Sequence, residues 1–476
     1  MIMQIRIVFI LVVMFALVGT SSGHPDSVRI SGHAPGYAGH DIVFHYHKDN
    51  ITFTEEVFVT ISVDSTESFS ATAAAKDNPL YVFSNSGVHY LYMYVESGKH
   101  YQVVLPEKTP RTRWESLNPY FEGTPTHIAV LNHDDDELNN LISEFDGYYE
   151  TLFGEPFLAL TAQRDQQILD SVSLENERLF SGTGNDWFDD YRRYRMAFFR
   201  MMARVEASRG ISDNYFRDAP VLYDNIAYME LFNQVYNNYF LFLARTARGK
   251  SIHDDINKFA SYSRLMNTLQ NDDVLGGDRL LEMVMLKGLH DSFYGSDFSR
   301  SALLRILDSL AVSTNYPEHA HIARNIREKT TRLMTGFRPP EINMKNREGV
   351  FVNLSDYHGE YVYLNFCTAA SYSCLSEYDL LQRLDERFGE HFRIVTIFIA
   401  EEFEAMTGFL EKNDYNWDFL FYGDQPSVLK DYDIRMFPTC YFIGRDGKLL
   451  MSPAPLPSED FERFLVRTLR SDGLIR

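Results

Sequence analysis

The chain has 476 residues, and 66 aspartates and glutamates outweigh 45 lysines and arginines to give a net charge of −21. Nucleic acid and anionic lipid call for basic stripes, so a balance of this sign argues against both as partners and leaves the acidity as a solubility feature. A length of this order builds two or three domains, and the three cysteines fall together near the C-terminal end, so no disulfide framework staples the rest.

In chain order, the first residues read as a secretory signal. Arg6 supplies a basic n-region, Ile7 to Val18 an apolar h-region, and Ser21 and Gly23 a small-residue cleavage geometry. No cysteine stands near that site to carry a lipoprotein anchor, and no later stretch approaches the roughly 20 apolar residues of a spanning helix. The expectation is an exported, periplasmic protein, cleaved near Gly23 and not inserted in the membrane.

Residues 24–110 read as an antiparallel β-sandwich. Ile42 to His47, Val57 to Val63 and Tyr90 to Val95 are rich in strand formers, and turns at Pro35-Gly36, Asn85 to Gly87 and Ser97-Gly98 separate them. Tyr90, Tyr92 and Tyr94 share one strand face, suited to an interface with the next domain or to a ligand. His45 and His47 also share a face, but no third ligand joins them, so surface histidines are expected in place of a metal pair. The acidic run His133 to Glu137 lacks calcium-loop spacing and reads as a charged turn before a helix.

Residues 120–335 read as all-α. Tyr191, Tyr194, Phe198, Met201, Met202 and Val205 recur at helical spacing, as do Tyr228, Leu231, Phe232, Val235, Tyr236, Tyr239 and Phe240. Leu280 to Leu289, Leu303 to Leu310 and Ile322 to Met334 predict further amphipathic helices. These stripes are core in the ordinary case, and His319 and His321 stand two apart, on different helix faces. Gly336-Phe337-Arg338-Pro339-Pro340 is the expected linker, since two prolines bar helix continuation.

Beyond it, Tyr361 to Phe366 is a buried strand, Ser371 opens a helix, and Phe392 to Ala400 is an apolar run suited to a central parallel strand. Asp433 to Lys448 contains Phe437-Pro438-Thr439 and an Asp446-Gly447-Lys448 hairpin. These features resemble the TlpA/ResA-like branch of thioredoxins, from about Pro339 to the C-terminus. The resemblance implies an α/β thioredoxin-like domain over 338–476, a cis bond before Pro438, a glutamate at Glu377 and an asparagine at Asn365. It also implies Cys-x-x-Cys at the helix N-terminus, where the dipole lowers the first thiol's pKa. Here Ser371 stands at the first position and only Cys374 remains. The three-part order of the whole chain is likewise similar to that of exported TlpA-like proteins.

Three readings of the cysteines stay open. Cys374, at the third helical position behind a Ser371 N-cap, suits single-thiol chemistry, and Ser371-x-x-Cys374 faintly matches peroxiredoxins, whose proline would fall at Cys367. A shielded, inert second cysteine is the alternative. Cys367 and Cys440, on antiparallel strands of the implied fold, pair as a disulfide in an oxidising compartment or fill core space as two thiols. Finally, Ala370, Tyr372, Met436 and Phe437 form an apolar lip beside Pro438 that suits a protein or extended peptide. The expected function is non-catalytic peptide binding or scaffolding, without cofactor or metal. The alternative is a thiol oxidoreductase or peroxidase-like enzyme working through Cys374 alone or a Cys367/Cys440 pair.

Overall fold

The structure is a computed structural model, and it describes residues 27–476 apart from 76, 77, 117, 119, 120, 133, 135, 164, 165, 401 and 424. The signal segment expected over 1–23, and His133 and Asp135 of the acidic run, lie outside the described residues. Glu137, at the end of that run, accepts a hydrogen bond from the Asn140 amide as the N-cap of helix Leu138–Thr151.

Among the described residues, nine strands make up the N-terminal part. They are β1 (Ser27–His33), β2 (Asp41–His47), β3 (Glu55–Ser62), β4 (Ser68–Ala74), β5 (Leu80–Ser86), β6 (His89–Val95), β7 (His100–Val104), β8 (Thr124–His127) and β9 (Ala129–Val130). They form two sheets, ordered β4-β1-β7-β9 and β3-β2-β5-β6-β8. Val28, Ile30 and Val103 of the first sheet and Ile42, Phe44, Val82, Leu91 and Met93 of the second belong to one apolar cluster. Two features depart from the sequence reading. β1 pairs with β7, and β6 with β8, in parallel, so the pairing is not purely antiparallel. Residues 124–130 also join these sheets, so the strands run past 110 and the first long helix starts at Leu138.

On β6 the alternation sends Leu91, Met93 and Val95 into the apolar cluster and the tyrosines to the opposite face. There Tyr94 meets Trp187 and Tyr191 edge-on and belongs to the helical core. The loop after β2 docks on the helices as well. Asp49 accepts from the Ile51 and Thr52 amides at 2.9 and 2.7 Å and from Asn325 at 2.8 Å, and Lys329 donates to the Thr52 carbonyl.

The helical part is centred on Asp278–Ser292, a helix buried at every position from Leu280 to Leu289. Gly288 lets Phe240 lie against this helix, since a Cβ there would sit 2.4 Å from the ring. The aromatic stripe from Tyr228 to Phe240 is two helices, Ile226–Val235 and Tyr239–Ala244, parted at Asn238, which has φ +51°. In helix Asp186–Met202 the buried face runs through Tyr191, Tyr194 and Phe199; Phe198 is only half-buried and Met202 is exposed.

Seven strands form the C-terminal sheet: β10 (Asn343–Asn346), β11 (Phe351–Asn353), β12 (Tyr361–Cys367), β13 (Phe392–Phe398), β14 (Asp418–Phe421), β15 (Thr439–Ile443) and β16 (Leu449–Ala454). Their order is β11-β10-β14-β13-β12-β15-β16. β12, β13 and β14 run parallel, β15 pairs antiparallel with β12, and β16 pairs antiparallel with β15. Helix Tyr372–Phe388 crosses from β12 to β13, and helix Phe403–Leu410 from β13 to β14. Both faces are covered, by one cluster containing Tyr363, Tyr378 and Phe442 and another containing Leu364, Phe366 and Tyr441. The linker is pinned to this sheet: Gly336 donates to Leu449 O and Leu449 to Phe337 O, each at 2.8 Å.

Candidate functional site

All seven residues of β12 are buried, and the strand ends at Cys367, in the middle of its sheet. A tight turn follows, in which Ser371 N–H donates to Thr368 O at 3.2 Å and Ala370 N–H to Thr368 Oγ1 at 3.3 Å. Ser371 is the N-cap of the next helix, its hydroxyl accepting the Cys374 amide at 3.4 Å. The position that would carry the first cysteine of a Cys-x-x-Cys pair is thus occupied by a capping side chain.

Cys374 is fully buried, and its Sγ accepts the Thr368 amide at 3.4 Å. The Cys367 thiol meets it side chain to side chain and is the main cause that holds Cys374 below the usual cysteine range. The Thr368 amide and Ser371 hydroxyl add to this, while burial opposes it. Burial pushes Cys367 well up, and Cys374 beside it pushes it further. Cys440 is pushed up to about 12 by burial, against a hydrogen bond with Tyr363. All three cysteines are free thiols in one apolar cluster.

Two readings stand open for Cys367 and Cys440, a disulfide or two core thiols, and the strand register does not set the two residues opposite each other. Asn365 lies opposite Cys440 and Phe366 opposite Thr439, so Cys367 lies beyond the paired end of β15. The thiol that Cys367 meets is Cys374. Sequence spacing holds a signal for this contact, since seven residues span a strand end, one turn and the first turn of a helix. Tyr378, one helical turn after Cys374, was also not singled out by the sequence reading. It is fully buried, and its hydroxyl lies against Cys367.

Asn365 donates to Thr396 Oγ1 at 2.7 Å, and Trp417 Nε1 donates to the same oxygen at 2.9 Å. Glu377 accepts from the Ser458 amide at 3.0 Å and from its hydroxyl, so it ties the helix to the segment after β16.

At the same sheet end, adjacent β12 and β15 deliver the 368–372 turn and the 436–438 loop side by side. The Phe437–Pro438 bond is cis, and Thr439 Oγ1 donates to Met436 O at 2.7 Å. Tyr372 is 85% and Met436 68% exposed, whereas Ala370 and Phe437 are half-buried. His45 and His47 are half-buried rather than surface histidines. His47 rests on the Phe83 and Phe53 rings, and burial lowers it to about 4. Among the described residues no cluster of three His, Cys, Asp or Glu is placed to hold a metal ion, and no helix is long and apolar enough to cross a membrane.

Known proteins match the C-terminal part. The AhpC/TSA family matches residues 336–451. The thioredoxin-like protein YneN of Bacillus subtilis is 24% identical over 123 residues, 25% of this chain and 71% of that one. The thiol-disulfide oxidoreductase ResA of the same organism is 26% identical over 119 residues, 25% of this chain and 66% of its own length. A solved thiol:disulfide interchange protein from Bacteroides sp. is 24% identical, with a TM-score of 0.27, over 29% of this chain and 90% of that one. Residues 336–451, with their parallel β12-β13-β14 core and antiparallel β15-β16 flank, are therefore a thioredoxin-like domain of AhpC/TSA type, similar to thiol-disulfide oxidoreductases over that part of the chain.

Proposed function

We propose that this is an exported, periplasmic protein of the TlpA-like kind, whose thioredoxin-like domain binds a protein or extended peptide and is not a Cys-x-x-Cys reductase. The observation that carries the reading is the lip itself. Tyr372 and Met436 stand exposed at the end of the sheet, beside a helix N-cap that is serine. Large apolar side chains on a free surface favour a partner. The 436–438 segment lies beyond the last β12–β15 pair, with Met436 exposed, Phe437 half-buried and Pro438 buried behind them, and an extended chain would dock along its exposed edge. The export reading rests on the Arg6, Ile7 to Val18 and Gly23 pattern.

The test is titration of the full chain with unfolded, cysteine-free peptides of mixed apolar sequence, followed by calorimetry and by amide shifts at 370–372 and 436–438. Binding that weakens about tenfold in Tyr372→Ser with Met436→Ser supports the docking lip. Binding indifferent to both substitutions overturns it. Catalytic reduction of insulin disulfides that vanishes in Cys374→Ala overturns the non-catalytic part. A second reading, thiol chemistry at Cys374, is favoured by one observation: its environment holds this thiol below the ordinary range.

A further inference from the structure

The thiol cluster carries an inference that does not depend on peptide docking. Cys374 Sγ lies 3.4 Å from the amide nitrogen of Thr368. That nitrogen is bonded to the carbonyl carbon of Cys367, so covalent geometry keeps Sγ within about 6 Å of the Cys367 Cα. A disulfide sets its two sulfurs about 2 Å apart, so closing the bond from this arrangement calls for rotation of one or both side chains. The two side chains already meet, both are free, and no other element stands between the strand end and the helix. The Tyr378 hydroxyl has no oxygen or nitrogen partner among the described residues and lies against Cys367, placed to donate to its sulfur. Cys440, in contrast, is set back along β15 opposite Asn365 and shares its sulfur with Tyr363.

We propose that Cys367 and Cys374 form a reversible intramolecular disulfide, a Cys-x6-Cys pair that bridges the strand end and the helix start. The oxidant is a low-molecular-weight disulfide, RSSR, which reaches Cys374 on local opening of the turn at 369–373, where Ala369, Tyr372 and Ser373 are exposed. Cys374 as thiolate attacks one sulfur of RSSR; the Cys374–SR bond forms, the S–S bond of RSSR breaks, and the first RS⁻ leaves and takes up the proton Cys374 had released. Cys367 then gives up its proton, Tyr378 donating to the charge as it develops. Its sulfur attacks Cys374 Sγ, and the second RS⁻ departs and takes that proton. Two protein thiols are oxidised and one small disulfide is reduced to two thiols. Both sulfurs are buried in the closed state, so a small disulfide, which needs only the turn to open, is favoured over a bulky protein disulfide.

The test uses the full wild-type chain equilibrated with mixtures of glutathione and glutathione disulfide, then quenched, alkylated and cut with chymotrypsin. Cleavage after Phe366, Tyr372 and Leu375 yields Cys367–Tyr372 and Ser373–Leu375, which a disulfide holds together. The expected result is a linked pair that rises from near zero in reduced glutathione to the majority in excess disulfide, with Cys440 free throughout and Cys440→Ala unchanged. Absence of the linked pair at every ratio, stable glutathionylation of Cys374 alone, or a bond that includes Cys440 overturns the proposal. The wild-type chain decides it without a variant that has to fold. In Tyr372→Ser with Met436→Ser, which test docking, cleavage at 372 is lost and the retained bond is read as resistance of Cys367 and Cys374 to alkylation within the single peptide Cys367–Leu375, so the two readings fail separately.

Discussion

The Ser371 hydroxyl is committed to the Cys374 amide, and the Cys374 sulfur to the Thr368 amide and the Cys367 thiol. Each of these side chains has a local partner, and that fixes which chemistry the domain retains. A hydroxyl accepts one hydrogen bond at the helix start, as a cap does, and exchanges no disulfide. His47 shows the same logic far from the thiols. Its ring is packed on Phe83 and Phe53, and burial brings it down to about 4 from an ordinary 6.5. The folded state holds it neutral while the unfolded chain takes up a proton, so its contribution is complete above pH 6.5 and is lost as pH falls through 4. The loss is about 3 kcal/mol at most. His47→Phe keeps the ring and removes the proton site. The difference between its melting temperature and that of the wild type is therefore expected to grow in the variant's favour from pH 6.5 to 4 and to stay constant from 7 to 8.

Single elements were legible where their periodicity is undisturbed. β12, β13 and the helix after Ser371 stand where the apolar runs place them, because a strand buried on both faces reads as continuous hydrophobic sequence. Periodicity could not show the break at Asn238, since Tyr228 to Phe240 keeps its helical spacing across it. The break comes from Asn238 in the left-handed region, with its amide held by Asp291 at 3.1 Å. Register was invisible for a similar reason: Cys367 and Cys440 both look inward, but only the ladder shows the two-residue offset between them. Gly288 is another case, an unremarked small residue inside a helical run. Gly288→Ala puts a methyl 2.4 Å from the Phe240 ring. It is expected to destabilise the helical part by about 1–3 kcal/mol, overpacking exceeding the propensity gain. A thermal scan reads this as a lowered melting transition, and a raised one would contradict it.

Across the whole molecule, the three-part order could be read from composition, but the contacts that join the parts could not. Asp49 makes one of them, as a buried carboxylate in a loop that holds the Ile51 and Thr52 amides and Asn325, 276 residues away. Asp49→Ala leaves these donors unpaired, at a cost of about 3 kcal/mol, roughly a hundredfold in local opening. Hydrogen exchange at 51–54 and 325–329 is expected to accelerate together, while protection in β12 stays unchanged; acceleration at one segment alone would refute the coupling. The pinned segment before the last domain has a practical consequence. β16 ends its sheet, and the backbone of Gly336 and Phe337 occupies Leu449 on the open side. A fragment begun at residue 338 would bare that rim to pairing with its own copies, whereas one begun a few residues earlier would carry its own guard against clumping.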